Sequence, residues 1–285
     1  MFKVPVDMAL RQKIAAILST IDTAIEQTEA LIEKYQHIKT GLMHDLFTRG
    51  LLPSGQLRPP RDQAPELYQE TAIGWISREW DSKPIREVCP EVGDGVHYSV
   101  SRSNEGVPFL FVSCVRNGRI DWDSAARISQ KTYLEISKKS KPCEGMVLLT
   151  AVGSYGHVAH VSSDEAFGFE RNIAYLKPNA NAINSQYLYN WLGSHFVASQ
   201  IERLVIGNAQ KVLTLGNIGK IAVAVPKAYE QLMANEKLAA VEGRVNSEQE
   251  LLSKLQLQKI GLMQDLLTGK VAVTVDSPDN VAAHA

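Results

Sequence analysis

The chain has 285 residues, 45% of them hydrophobic and 21% charged, with a formal net charge of −1. That is enough for one large or two small domains, and it excludes both a basic nucleic-acid tail and an acidic disordered segment. The three cysteines, Cys89, Cys114 and Cys143, stand apart with no C-x-x-C spacing, which excludes a zinc ribbon and a disulfide framework and fits a reducing cytoplasm. No stretch resembles a signal peptide and no apolar run approaches a membrane span, so a soluble, cytoplasmic protein with no membrane contact is expected.

The first predicted element is a spacer helix within residues 1–49. A short lead-in containing Val4-Pro5 comes first. From about Arg11 to Phe47, apolar residues then recur at alternating spacings of three and four: Ile14, Leu18, Ile21, Ile25, Ile32, Tyr35, Leu42 and Leu46, with Thr28 and Lys39 as breaks. The other faces carry Gln12, Lys13, Asp22, Glu26, Glu29, Glu33 and Lys34, as a solvated side should. Gly50 supplies a stop. Residues 50–67 hold four prolines and two glycines and read as an extended linker.

Residues 68–226 read as a mixed domain. Short β-type runs at Val107–Val112, Gly145–Val152, Gly156–Val161 and Arg171–Leu176 are separated by Gly, Asn, Asp and Ser. A helix fits within Ser124–Lys139. A second, Asn184–Leu204, gathers Tyr187, Leu188, Trp191, Leu192, Phe196 and Ile201 on one side. Ile218–Val225 returns as a strand. The second spacer helix lies within residues 227–268, from about Tyr229 to Leu267 with Gly269 as its stop, and residues 269–285 form a tail.

The two spacers are copies of one another. Lys34–Thr48 returns as Lys254–Thr268 with nine of fifteen positions identical, 220 positions later. The seam returns with it, as Leu238, Val241, Val245, Leu252, Leu255, Leu262 and Leu266, with its breaks at the equivalent Glu248 and Lys259. The expected fold is therefore α+β: one mixed α/β domain plus two long helices forming an antiparallel coiled coil, with the domain at one end of the rod.

Positive charge is bunched inside the middle domain. Arg116–Lys141 carries seven basic and three acidic residues, and Arg171–Lys220 five against one. Such blocks permit binding to a polyanion without requiring it. Three glycine-bearing loops, Gly93–Ser99, Gly153–Gly156 and Gly207–Lys211, join flexible backbone to side chains able to meet base edges or phosphates: His97, Tyr98, Ser154, Tyr155, Asn208, Gln210 and Lys211. Each loop alone reads more readily as a hairpin turn with its polar residues facing water. His157 and His160 sit at i and i+3 on a β-type run, hence on opposite faces, with no acidic or cysteine partner at ligand spacing, and no metal site is expected. Ser154 lacks a base and the strand-to-helix context of a nucleophile elbow. No P-loop, dinucleotide fingerprint or amino-methyltransferase motif occurs, so no catalytic residue is assigned.

Several motifs together resemble the specificity subunit of type I restriction–modification enzymes. They are Ile14–Ile25 leading to Gly41-Leu-Met-His-Asp-Leu46, Ile73–Trp80, Asp94-Gly-Val-His97 followed by Gly106-Val-Pro-Phe109, Gly145–Thr150 with Gly153-Ser, and Gly207–Gln210 before Leu213. The resemblance implies one target recognition domain for double-stranded DNA, held on helical spacers. It also implies docking to modification (methyltransferase) subunits and a restriction subunit. S-adenosylmethionine, ATP and magnesium would belong to those partners, with no cofactor in this chain. The candidate DNA contacts are then His97, Tyr98, Ser101, Arg102, Arg116, Asn117, Arg119, Lys138, Lys139, Ser154, Tyr155, Arg171, Asn208, Gln210 and Lys211, with Lys138, Lys139, Arg171 and Lys211 assigned to phosphates.

The family's full subunit has two recognition domains, each followed by a helix. One domain between two helices resembles its C-terminal half, Val4-Pro5 matching Val225-Pro226. A homodimer, or pairing with another half-subunit, would restore a bipartite readout. The alternatives are a half-subunit that only scaffolds the modification subunits, or one that competes for them. Ile14 to Leu46 spans about 48 Å at 1.5 Å per residue, roughly 14 base pairs of 3.4 Å. Lengthening both helices by one heptad, ~10.5 Å, is expected to widen the required DNA spacer by about three base pairs. An unchanged spacer in selection from random duplexes would exclude a ruler.

Overall fold

A heptad seam this long needs a partner surface along its whole length, and the second copy supplies it. The computed structural model describes residues 7–138, 141–207 and 211–274. Its long helices are Met8–Thr48 and Ala228–Leu267. The seam positions of both are buried or half-buried, while Gln12, Glu26, Glu29, Glu33 and Lys34 are exposed. The break at Thr28 is buried, and its hydroxyl donates 2.8 Å to the Ala24 carbonyl, which satisfies a polar group inside the seam. Lys39 Nζ lies 3.2 Å from Glu242 and Lys259 Nζ 2.6 Å from Asp22. In each pair the two residue numbers add to 281, so the helices run antiparallel and Ile14 lies level with Leu266.

The chain divides into two compact units. One holds the helices up to Gly41 and from Ala239 onward; the other is Leu42–Leu238. The second unit therefore includes the last turns of the first long helix and the first turns of the second. Its centre is an antiparallel sheet in the order Val158–His160, Val147–Thr150, Ile173–Lys177, Glu91–Asp94. Both faces of this sheet are covered, which is why Val147–Thr150 reads as a continuous apolar run. Val147, Leu149, Ala174 and Leu176 pack with Leu46, Phe47, Trp80, Tyr187 and Trp191. The alternate residues Leu148, Ile173 and Tyr175 pack with Leu110, Phe167 and Phe169. A second four-stranded sheet, Gly168–Phe169, Val107–Leu110, Ala126–Ile128, Arg102–Ser103, has one parallel pair, Gly168–Phe169 with Val107–Leu110.

The segment read as an extended linker is folded into this unit. Its Leu51 and Arg58 are buried, and Leu51 bridges Leu57 in a tight turn. The anchor is Glu230 in the first turn of the second long helix, which is 1% exposed. Its carboxylate accepts from Leu51 N (2.5 Å), Arg58 Nη1 (2.5 Å) and Trp80 Nε1 (2.9 Å). Arg58 also donates to Glu79 at 2.8 Å and to the Arg49 carbonyl at 3.1 Å. Burial opposes its charge, and the contacts with Glu230 and Glu79 outweigh that and raise its pKa. Gly50 caps the first long helix at φ +66°, and a Cβ there would overlap Glu230 and Trp80. Proline content argues against regular helix or central strand but is silent about tertiary burial.

Three elements differ from their sequence reading. Asn184–Leu204 is two helices, Ser185–Leu192 and His195–Leu204, interrupted at Gly193-Ser194. Only Gln130–Ile136 of Ser124–Lys139 is helical; Ser129 caps it, and Ala126–Ile128 before it is a strand. The final strand is Ala222–Val225, because Leu215–Ile218 forms a helical turn capped by Thr214. Strands at Tyr68–Thr71, Gly74–Ser77, Asp81–Pro84 and Glu91–Asp94 carry too few apolar residues to show alternation. Val4-Pro5 lies outside the described residues.

Glu230→Ala leaves the buried Arg58 guanidinium without its counter-charge and is expected to destabilise the fold by about 3–5 kcal/mol. Glu79→Ala, at an exposed carboxylate, is expected to cost less than about 1 kcal/mol. Urea unfolding midpoints of the two variants check the ranking; equal midpoints would show that the buried contact is not the anchor.

Candidate nucleic-acid interface

The loop after the strand Glu91–Asp94 is fixed by backbone pairing. Val96 N donates 2.9 Å to the Phe169 carbonyl, and Arg171 N returns 2.9 Å to the Val96 carbonyl. Gly95 makes this approach possible, since a Cβ there would overlap the Phe169 carbonyl. The pairing brings residues far apart in sequence to one cleft of about 430 Å³: His97, Tyr98, Arg102 and Arg171, with Phe111, Glu170 and Asn172. The Arg102 guanidinium lies 4.9 Å from the Phe111 ring centroid. Tyr98 is 63% exposed. His97 Nε2 is hydrogen-bonded to Asp94 at 2.8 Å, which turns the ring in one direction. Glu170 is held by the Val112 amide at 2.8 Å. Neither Arg102 nor Arg171 has an ion pair or hydrogen bond from its guanidinium among the described residues. The cleft thus offers two uncommitted cations and an exposed aromatic ring beside an aromatic floor, a set suited to phosphate, base edge and base face.

The other predicted residues fall into separate clusters. Arg116, Asn117 and Arg119 form a tight hairpin, Val115–Arg116 against Arg119–Ile120, turning through Asn117 (φ 53°) and Gly118 (φ 76°). The Tyr189 hydroxyl holds the turn by donating 2.9 Å to the Gly118 carbonyl. Arg116 donates to the carbonyls of Val112 (2.9 Å) and Val115 (2.8 Å), so its guanidinium braces the backbone, whereas Arg119 is exposed. Trp122, 40% exposed, lines the same concavity. Tyr155 and Lys211 meet at 3.3 Å, and the Tyr155 hydroxyl donates 3.0 Å to Glu202. The hydrogen bond with Tyr155, then the charge of Glu202, raises the Lys211 pKa and keeps it cationic. Ser154 is exposed in the adjoining turn, as are Ser101 and Lys138 in their segments. Lys139, Asn208 and Gln210 lie outside the described residues.

Sequence reasoning missed Phe111, Glu170, Asn172 and Trp122. Phe111 becomes a floor only through sheet pairing, which no local pattern shows. Trp122 between Asp121 and Asp123 is a large aromatic in a polar turn, a signal that was available. His160 Nε2 is 3.0 Å from Ser185 Oγ, and burial lowers the pKa of both His157 and His160. Among the described residues, no three His, Cys, Asp or Glu side chains gather as metal ligands, and no helix is long and apolar enough to cross a membrane.

Comparison with known proteins adds the context. Residues 77–257 match the family described as type I restriction modification DNA specificity domain. The specificity subunit of the type I restriction enzyme MjaVIII from Methanocaldococcus jannaschii is 24% identical over 95% of this chain and 62% of its own length. The type I restriction–modification S subunit of M. genitalium superposes with a TM-score of 0.57 at 16% identity, over 94% of this chain and 62% of that one. The HsdS subunit from Thermoanaerobacter tengcongensis gives 0.51 at 12% identity, over 92% and 58%. The chain therefore spans about three-fifths of the length of the relatives it matches, and the structural likeness establishes the fold: a mixed α/β unit with two long helices.

Because burial lowers the pKa of His157 and His160, folding favours their deprotonated forms. Their contribution to stability is present above the unfolded histidine pKa of about 6.5 and is lost as pH falls through the lower folded values. The thermal midpoint is expected to drop between pH 7.5 and 5, and less so in His160→Gln. An equal drop in both would remove His160 from the account.

Proposed function

Since the chain belongs to the family of type I restriction–modification DNA specificity domains, we propose that its Leu42–Leu238 unit reads a short double-stranded DNA sequence for a partner methyltransferase. The observation that carries this reading is the cleft shared by His97, Tyr98, Arg102 and Arg171. Arg102, laid on Phe111, presents a planar fork of the kind that grips guanine O6 and N7. Arg171, exposed at the rim, is assigned to phosphate. The hairpin of Asn117 and Arg119 and the cluster of Ser154, Tyr155 and Lys211 are assigned to the same DNA, with Lys138 as a further phosphate contact. Residues 68–226 of the unit constitute the recognition domain.

The chain carries address and scaffold, and the chemistry lies elsewhere. Modification subunits dock on it and bring S-adenosylmethionine; a restriction subunit brings ATP and magnesium. The curated relatives bear the name specificity subunit. A two-part DNA site requires a second recognition unit beside Leu42–Leu238, of the kind a second copy of this chain or another half-subunit would supply.

Selection from random duplexes with the modification subunit present tests the assignment. Arg102→Ala is expected to relax preference at one base position at a cost of about 1–3 kcal/mol, while Lys138→Ala weakens all sequences alike and lowers the salt slope by about one. If wild-type protein enriches no sequence at any salt concentration, the chain is a scaffold and does not read DNA.

A further inference from the structure

We infer that Glu170 is a base-reading residue that shares one G·C pair with Arg102: Arg102 takes the guanine and Glu170 the exocyclic amine of the cytosine. This role rests on the reading that the cleft takes duplex DNA.

Glu170 is the one acidic side chain among the described residues lining the cleft. A carboxylate facing a polyanion weakens binding unless it meets a hydrogen-bond donor. An arginine partner would account for it, yet among the described residues no ion pair joins Glu170 to Arg102 or Arg171. The fold holds acid and base side by side and unpaired. The Arg102 guanidinium lies over the Phe111 ring at 4.9 Å, while Glu170 Oε1 accepts from the amide of the next residue, Val112, at 2.8 Å. Backbone pairing fixes Glu170 further: its N–H donates 3.1 Å to the Leu110 carbonyl, and its own carbonyl accepts 3.1 Å from Ile173 N. With Oε1 engaged, Oε2 has no partner among the described residues.

A group that only donates, set beside one that only accepts, matches one base-pair edge in particular. In the major groove guanine shows two acceptors, O6 and N7, and its partner cytosine shows one donor, the N4 amine. Adenine carries acceptor and donor together, which suits an amide; a carboxylate there would meet the N6 amine but also face N7, an acceptor. A reversed C·G pair would turn the amine toward Arg102 and the guanine acceptors toward Glu170. Glu170 therefore rejects as well as selects, and it sets the orientation of the pair.

Glu170→Gln tests this, since the amide oxygen can still accept from Val112 N while the charge is removed. Selection from random duplexes, with the full chain and the modification subunit, locates the base pair that Arg102→Ala relaxes. At that same pair Glu170→Gln is expected to lower the preference for G·C about tenfold. It is also expected to raise affinity for unrelated duplex, because a repulsive charge has gone. A second measurement changes only the DNA. In the duplex that the wild type enriches most, N4-methylcytosine at that pair replaces the groove-facing amine hydrogen with a methyl group. Wild-type binding is expected to weaken about tenfold, and binding by Glu170→Gln much less. Uniform strengthening of all sequences by Glu170→Gln, an effect confined to another base pair, or wild-type indifference to N4-methylcytosine each overturns the proposal. If the wild type enriches no sequence, the DNA reading itself has failed. If it enriches one that Glu170→Gln leaves unchanged, only the role of Glu170 has.

Discussion

A carboxylate with almost no access to water holds the Leu42–Leu238 unit together. Glu230 opens the second long helix, and its contacts with Leu51, Arg58 and Trp80 reach the segment that follows the first. Removing such a group from water is costly, and the cost is met only because both oxygens have donors, one of them charged. The arrangement fixes its neighbours in turn: Gly50 must lack a side chain, and Trp80 must present its indole N–H inward. Phe47 then sits edge-on to Tyr187 and Trp191 at 5.5 and 5.2 Å, carrying the end of the first helix into the core.

From that core the central sheet extends with two apolar faces, one packed on the helices Ser185–Leu192 and His195–Leu204, the other on aromatic residues of the second sheet. The candidate DNA contacts lie on loops and short strands at the margins of this scaffold. The division is physical: buried strands hold position, while Arg102 and Arg119 are exposed on short strands at the margin and Lys211 is exposed but engaged with Tyr155 and Glu202. Arg116 shows the contrast, since its guanidinium is already spent on two carbonyls.

The helices were legible in the sequence because a heptad pattern is a long, redundant signal, and their antiparallel pairing was expected because one domain joins the end of the first to the start of the second. The strands with apolar runs, such as Val147–Thr150, were legible for the same reason. Those with polar sequences, such as Asp81–Pro84, owe their existence to a distant partner, Ala222–Val225, and leave no local trace. The candidate contacts on glycine loops were found one by one. What the sequence could not show was which of them share a cleft, since His97 and Arg171 meet only through the pairing of Val96 with Phe169–Arg171. The anchoring role of Arg58 was hidden too, inside a proline-rich stretch whose composition suggested solvent.

The antiparallel register has a mechanical consequence. Because Ile14 and Leu266 are level, both strands of the helical hairpin have their open ends at the same place. A load on those ends peels the seam one layer at a time, as a zip opens, and never shears all layers together. Each layer resists alone, with only a few apolar contacts, and two of the layers carry an ion pair. Opening therefore begins at the tip and progresses gradually, at free energies well below that of global unfolding.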